Sequence, residues 1–76
     1  MKLSELQKGD RATIIAIRSS EDLKRRLNSF GVVRGSELSI EAYSLANKTI
    51  EIMVDDTLIG LRSIEAEDIE VERLDG

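Results

Sequence analysis

The chain has 76 residues, 34% of them charged, and a net charge of −4 at pH 7. This length accommodates a single domain, over residues 1–76, that hides only about 60% of the surface of the unfolded chain. The absence of cysteine and histidine excludes disulfides, the usual zinc ligands and the histidine base of most nucleophilic enzymes, so we expect a protein that is not an enzyme.

The first predicted element is a buried strand. Residues 1–5 lack the apolar stretch of a secretory leader, which together with the missing cysteines predicts a cytoplasmic location. Gly9-Asp10 is a turn signal, and Ala12–Ile17 is a β-branched run that is apolar on both faces. The longest uninterrupted apolar run, Ile14–Ile17, is far shorter than the roughly 20 residues that cross a bilayer, so we expect no direct insertion into a membrane.

A short helix is predicted over about residues 20–30. Either of two serines, Ser19 and Ser20, can cap its N-terminus. Gly31 fits the left-handed position that ends a helix. Apolar side chains recur at the i, i+4 and i+7 positions of one helix face and are expected to cover one end of a sheet. These side chains are Leu23, Leu27 and Phe30.

Four further strands follow with short connections. Apolar and polar residues alternate in most of them, as in strands with one exposed face. The four runs begin near Glu37, Thr49, Leu58 and Ile69. Asp55-Asp56 is a turn signal between two of them, and a helical turn is predicted near residues 64–68. Five short strands and one helix predict a mainly β fold, a small closed or nearly closed barrel of antiparallel strands.

Two groups of side chains are candidates for contact with a partner. Residues 1–35 carry eight basic and four acidic side chains, whereas residues 36–76 carry three basic and eleven acidic ones. Within the basic half, Lys24, Arg25 and Arg34 could bind phosphates or an acidic partner, or could simply keep the helix solvated and complement its dipole. The second group lies where the alternation points to solvent or to a loop tip, and forms either a contact surface or ordinary scattered apolar residues. Its members are Tyr43, Leu45 and Met53.

Other binding chemistry is weakly represented. Gly31 and Gly35 lack the further glycines and the Lys-Ser/Thr step of a phosphate-binding loop. Acidic residues could hold a hard cation weakly, but adjacent acids in turns are usually solvated, and their spacing is not that of an EF-hand. The residues concerned are Asp55-Asp56 and Glu65, Glu67 and Asp68. We therefore predict no metal site and no cofactor.

The order of these signals resembles the FeoA family, the small cytosolic component of the bacterial ferrous iron uptake system. The likeness covers nearly the whole chain. It rests on residues 3–9, the strand at 12–17, Arg26-Leu27, Phe30-Gly31, Gly35, residues 59–62, Glu65-Ala66, Ile69 and Val71. The resemblance implies an SH3-like β-barrel and a role in supporting FeoB, the membrane permease that carries a cytosolic GTPase domain.

From the resemblance we expect a cytoplasmic accessory protein of ferrous iron uptake that acts by protein–protein contact with an FeoB-like permease. Without Cys, His or a nucleotide motif, the chain should neither hold Fe²⁺ tightly nor hydrolyse GTP itself. The expected contacts are the two candidate groups, Lys24, Arg25, Arg34, Tyr43, Leu45 and Met53. Weak self-association through the exposed hairpin stays open.

Two alternative functions also stay open. The basic first half could serve a nucleic-acid-binding barrel, although a pI near 4.8 and only two aromatic residues, Phe30 and Tyr43, argue against a nucleic acid partner. The same barrel occurs as the C-terminal module of iron-dependent repressors, where a helix-turn-helix domain comes first, and this chain starts at Met1 without one. An SH3 module for proline-rich peptides needs an aromatic groove that this composition cannot line.

Overall fold

The computed structural model describes residues 1–74. In chain order the elements are a 3-10 turn at Leu3–Glu5, β1 at Arg11–Ile17, α1 at Glu21–Ser29, β2 at Glu37–Ser44, β3 at Thr49–Val54, β4 at Thr57–Arg62, α2 at Ser63–Ala66 and β5 at Ile69–Leu74. The strands form one antiparallel sheet in the order β4-β3-β2-β1-β5. The predicted mainly β fold, with five strands, one short helix and a helical turn before the last strand, is confirmed.

Helix α1 begins where a serine side chain replaces a missing backbone partner. The hydroxyl of Ser20 accepts a hydrogen bond from the N–H of Leu23 at 3.3 Å, so Ser20 rather than Ser19 is the cap. Leu23 and Leu27 are buried, which anchors one face of the helix against the sheet.

The end of α1 differs from the prediction at one residue. Phe30 is 48% exposed, so the prediction that it belongs to the buried helical stripe is wrong. The helix ends at Ser29, and Gly31, with φ +80, turns the chain away from the helical path. Val32 is fully buried in the core instead, and its N–H donates to the carbonyl of Leu27 at 2.9 Å.

Turn chemistry sets the register of the β3–β4 hairpin. Asp55 and Asp56 have φ values of 48 and 67, both left-handed, as a two-residue type I′ turn requires. Aspartate tolerates this region better than most residues do. The turn places Val54 directly opposite Thr57, and the pairing then runs without interruption to Thr49 opposite Arg62.

Two β-bulges interrupt the otherwise regular ladders. In β1 the register with β5 shifts between Ile14 and Ala16, and in β2 the register with β3 shifts between Ile40 and Ala42. Because each bulge inserts one extra residue, the strand's side chains change faces beyond it. The simple alternation predicted from residue 37 onward therefore ends at Ile40.

The core lies between the sheet and the helices. Apolar side chains from every strand, from both helices and from the N-terminal segment fill it, and no polar side chain among residues 1–74 is buried. The backbone nitrogen of Met1 donates to the carbonyl of Val71 at 3.1 Å, and the N–H of Val71 donates to the carbonyl of Met1 at 2.7 Å. No helix in the described part of the chain is long and apolar enough to cross a membrane.

Candidate partner-binding site

A pocket of about 230 Å³ lies where β1 and β2 separate. The paired residues of the two strands run only from Arg11 to Thr13 on β1. Two further hydrogen bonds join Ile14 to the segment before β2. The N–H of Ile14 donates to the carbonyl of Ser36 at 2.9 Å, and the N–H of Gly35 donates to the carbonyl of Ile14 at 2.8 Å. Beyond Ile14, α1 and the α1–β2 loop border β1. The lining residues are Ile15, Ala16, Ile17, Lys24, Asn28, Val33 and Arg34.

The polar side of this pocket carries two positive charges. Lys24 comes from α1 and Arg34 from the loop that follows it. The ammonium of Lys24 lies 3.8 Å from the carboxylate of Glu21, a long pair near solvent that leaves most of its charge available. Arg34 is exposed and forms no ion pair with any residue in the range 1–74. Two like charges beside one pocket favour an anionic ligand.

The apolar side of the pocket comes from β1 and from the loop. Ile15, Ala16 and Ile17 are half-buried, and Ile17 packs against the core. Val33 is 46% exposed. The pocket therefore offers apolar surface bordered by positive charge, an arrangement that suits an apolar side chain next to a carboxylate.

A tight turn holds the loop that presents Val33 and Arg34. The N–H of Val33 donates to the hydroxyl of Ser36 at 3.0 Å, and the N–H of Ser36 donates to the carbonyl of Val33 at 2.9 Å. Gly35 has φ +92, a conformation that glycine adopts without strain. Because the backbone is fixed by these bonds, a partner that binds here orders only side chains.

The structure brings together two of the six predicted contact residues. Lys24 and Arg34 line one pocket, although nine residues separate them in sequence. Arg25 lies on the exposed face of α1, where its guanidinium is 3.8 Å from the carboxylate of Asp22, and it does not line the pocket. Val33 was missed because an exposed valine beside a buried one, Val32, has no distinguishing signal in the sequence.

The three predicted apolar contacts lie on different parts of the sheet. Tyr43 is 39% exposed, as predicted, but the β2 bulge places it opposite the buried Ile50, on the core side of the sheet. Its hydroxyl donates to the carbonyl of Leu6. Burial, and then the negative charge of Asp10, raise the pKa of Tyr43 above its ordinary value.

The other two members of this group lie in a turn and on the outer face of the sheet. Leu45 is at the β2–β3 turn and 90% exposed. Met53 is half-buried on the outer face of β3, opposite Leu58 of β4, which is 54% exposed. Leu58 was not among the predicted contacts, because the sequence analysis assigned the run 58–61 to a strand without assigning its side chains to the two faces. Its alternation, with Ile59 and Leu61 facing the core, is the signal that would have found it.

Glu65 has a structural role. Its carboxylate accepts from the guanidinium of Arg26 at 3.1 and 3.2 Å and from the N–H of Arg62 at 2.9 Å. Burial acts to raise the pKa of Glu65, but the hydrogen bonds from Arg62 and Arg26 and the charges of both arginines hold it below its ordinary value. Glu65 therefore fastens α1 to the start of α2.

No group of three or more Asp, Glu, His or Cys side chains that could hold a metal ion occurs within residues 1–74. The acidic side chains considered from the sequence are thus not arranged as a metal site in this part of the chain. Glu65, the most buried of them, is held by the two arginines instead.

The family model described as the FeoA domain matches residues 1–73 of this chain. The chain belongs to the FeoA family. A Campylobacter jejuni protein named "Putative Fe(2+) transport protein A" is 41% identical to it over 71 residues, which cover 93% of this chain and 96% of that protein. The predicted membership of the FeoA family, and with it a role in ferrous iron transport, is confirmed.

Solved FeoA structures share the fold. The FeoA protein of Chlorobium tepidum superimposes with a TM-score of 0.93 at 38% identity, covering all of this chain and 72% of that one. The zinc complex of FeoA from Stenotrophomonas maltophilia, described as a prokaryotic SH3 domain protein, gives 0.79 at 29% identity over 95% and 89% of the two chains. The predicted SH3-like barrel is therefore confirmed.

The FeoA barrel is also found within a larger regulator. A manganese-dependent transcriptional repressor in complex with manganese superimposes with a TM-score of 0.88 at 25% identity, covering 97% of this chain and 36% of the repressor. FeoA proteins themselves are small accessory proteins of transport. The fold alone does not distinguish these two roles.

Proposed function

We propose that this FeoA protein supports bacterial ferrous iron uptake from the cytoplasm by binding the cytosolic part of an FeoB-like membrane permease, and that residues 1–76 act as one domain. The observation that carries the proposal is the pocket between α1 and β1, where Lys24 and Arg34 border an apolar surface. It is a preformed concave site in a chain whose family belongs to ferrous iron transport.

The pocket favours a partner segment in which an apolar side chain lies next to a carboxylate. The apolar side chain would pack on Ile15, Ile17 and Val33, while the carboxylate would pair with Arg34, whose planar guanidinium can bind both oxygens at once. Lys24 adds a second charge that attracts the acidic segment from a distance. With an area this small, the complex should be transient and its affinity should fall with added salt.

The test is a titration of the purified chain with the cytosolic GTPase domain of the permease, by calorimetry, in the GDP, GTP-analogue and nucleotide-free states. We expect Arg34→Glu and Lys24→Glu to weaken binding by at least about tenfold each, since both reverse a charge at the pocket. Arg25→Glu is the matched control, because it reverses a neighbouring charge outside the pocket and should change the affinity by less than about threefold.

Each outcome of this titration has a separate meaning. Equal weakening by Arg25→Glu would transfer the contact from the pocket to the exposed face of α1. An intact chain that binds in none of the nucleotide states would refute the proposed partner.

A second candidate function is a module of a metal-dependent regulator, and the likeness to the manganese-dependent repressor supports it. A gel-shift titration of the chain against duplex DNA at low salt separates the two proposals. The excess of acidic over basic side chains predicts no shift, because backbone phosphates would repel most of this surface. A shift that disappears in Arg34→Glu would favour the regulator.

A further inference from the structure

The two end strands of the sheet differ in how their outer edges are covered. β5 is bordered by the N-terminal residues, which exchange hydrogen bonds with Val71 and place Lys2 opposite Glu70. β4 is the other end strand. No strand among residues 1–74 pairs with its outer edge.

Hydrogen-bonded and non-hydrogen-bonded pairs alternate along the β3–β4 hairpin, and this alternation shows which backbone N–H and C=O groups of β4 face outward. The two-residue turn makes Val54 and Thr57 a hydrogen-bonded pair, so Thr57, Ile59 and Leu61 bond to β3. The N–H and C=O groups of Leu58 and Gly60 then point away from β3. Arg62 is the next outward-facing residue after Gly60, and its N–H donates to the Glu65 carboxylate at 2.9 Å instead of to β3. This bond agrees with the alternation. Because it occupies the N–H of Arg62, the unpaired edge of β4 ends before this residue.

This edge lacks the usual protection against strand pairing. Sheets normally guard an end strand with lysine, proline, a bulge or a covering segment. Residues 57–61 contain no charge and no proline, and the β3–β4 ladder has no bulge. Leu58 is 54% exposed, and a Cβ atom built on Gly60 meets nothing within 4 Å. An apolar side chain and an empty space thus lie two residues apart on one face.

We propose that two copies of this chain associate by antiparallel pairing of their β4 edges about a two-fold axis at Ile59. In that register Leu58 of each copy lies opposite Gly60 of the other, so each exposed leucine covers an open glycine. The two pairs exchange about four backbone hydrogen bonds. The occupant of the edge is therefore a second copy, and the two β4 strands join the sheets into one.

Charge complementarity selects both the occupant and the register. With the axis at Ile59, Arg62 of one copy lies opposite Asp56 of the other, and both side chains are exposed. An axis at Gly60 would place Arg62 opposite Leu58, and an axis at Leu58 would place the two leucines against each other. Only the first register among these three pairs opposite charges at both ends, which favours it. Because the open edge is short, the association should be weak, and the dimer should form only at high protein concentration.

Amide hydrogen exchange, followed by NMR at micromolar and millimolar concentration, tests the proposal. The amides of Leu58 and Gly60 should gain at least about tenfold protection at the higher concentration, while those of Ile59 and Leu61, bonded to β3, are protected at both. Sedimentation in the same range should show a monomer–dimer equilibrium. A chain that stays monomeric at millimolar concentration, or a dimer whose Leu58 and Gly60 amides exchange freely, would overturn it.

Three variants separate this edge from other surfaces. Leu58→Lys places a charge on the edge and should leave the chain monomeric. Gly60→Val fills the space above the glycine with a good strand former, so it should also abolish the dimer without loss of fold. Leu45→Lys is the matched control, because it changes an equally apolar and more exposed leucine at the hairpin tip.

The variant results have defined meanings. Dimers of Leu45→Lys, with monomers of the other two variants, support the proposal. A dimer lost only in Leu45→Lys would assign self-association to the hairpin tip and overturn it. Protection of Leu58 and Gly60 that requires the permease GTPase domain would mean that a foreign strand occupies the edge, and self-pairing would then be wrong.

Discussion

Removing the carboxylate of Glu65 is expected to destabilise the fold substantially, although the residue is neither apolar nor in the core. Glu65→Ala removes a charged acceptor from the N–H of Arg62, worth about 1.5–3 kcal/mol. It also removes the pair with Arg26, which is discounted to about 0.5–1 kcal/mol because the arginine is 44% exposed. We expect a total loss of about 2–4 kcal/mol, against a stability of about 4–11 kcal/mol for a chain of this size.

Glu65→Gln isolates the charge, because the amide oxygen can still accept from the Arg62 N–H. It should cost about 1 kcal/mol. The lowered pKa of Glu65 gives the pH dependence: its contribution is fully present above the pKa of the unfolded chain's glutamate, about 4.5, and is lost as the pH falls through the lower folded value. The stability difference between wild type and Glu65→Gln should therefore shrink in acid.

Urea denaturation followed by circular dichroism, at neutral pH and in acid, measures these differences. A double-mutant cycle with Arg26→Ala should give a coupling energy of about 0.5–1 kcal/mol. A cost below about 0.5 kcal/mol for Glu65→Ala, the level of an ordinary surface substitution, would refute this account of how α1 is fastened to α2. So would a difference between wild type and Glu65→Gln that grows in acid.

Four further substitutions, one of them a control, test other parts of the fold by the same urea assay. Leu27→Ala should lower the free energy of unfolding by about 2–5 kcal/mol, since it empties a fully buried site. The control, Leu45→Ala at the exposed hairpin tip, should lower it by less than about 0.5 kcal/mol. Equal losses in the two variants would contradict the assigned core. Ser20→Ala should cost about 1 kcal/mol through the lost cap, and a neutral result would mean that α1 does not need it. Asp56→Gly should stabilise the folded chain by about 0.5 kcal/mol, because glycine adopts the left-handed conformation at φ +67 more readily than aspartate does. A loss of stability in this variant would contradict the type I′ turn.

Local signals predicted the elements well. A capping serine, a terminal glycine and a two-aspartate turn placed α1 and the β3–β4 hairpin within about two residues, because each depends on the chemistry of a few neighbouring residues. The position of Phe30 was wrong for a non-local reason. The helix stops one residue earlier and Val32 takes the core position, a result of packing that the periodicity of the helix does not contain.

The candidate pocket was predictable only in part. The sequence marks Lys24 and Arg34 as basic residues of the first half, but their meeting depends on where β1 leaves β2, which only the strand pairing determines. Arg25 carries the same charge and was selected with equal reason, yet its place on the helix directs it elsewhere. Charge composition identifies candidates, and the three-dimensional course of the strands selects among them.

The bulge in β2 has a consequence for comparing this chain with its relatives. A relative lacking the extra residue between Ile40 and Ala42 would keep simple alternation, and with a gap placed at that residue the position aligned with Tyr43 faces the same side of its sheet. An alignment that omits this one-residue gap therefore exchanges inner and outer positions for the rest of the strand. Residues 42–44 should be compared by the side of the sheet they occupy, and substitutions transferred between relatives should be chosen on that basis.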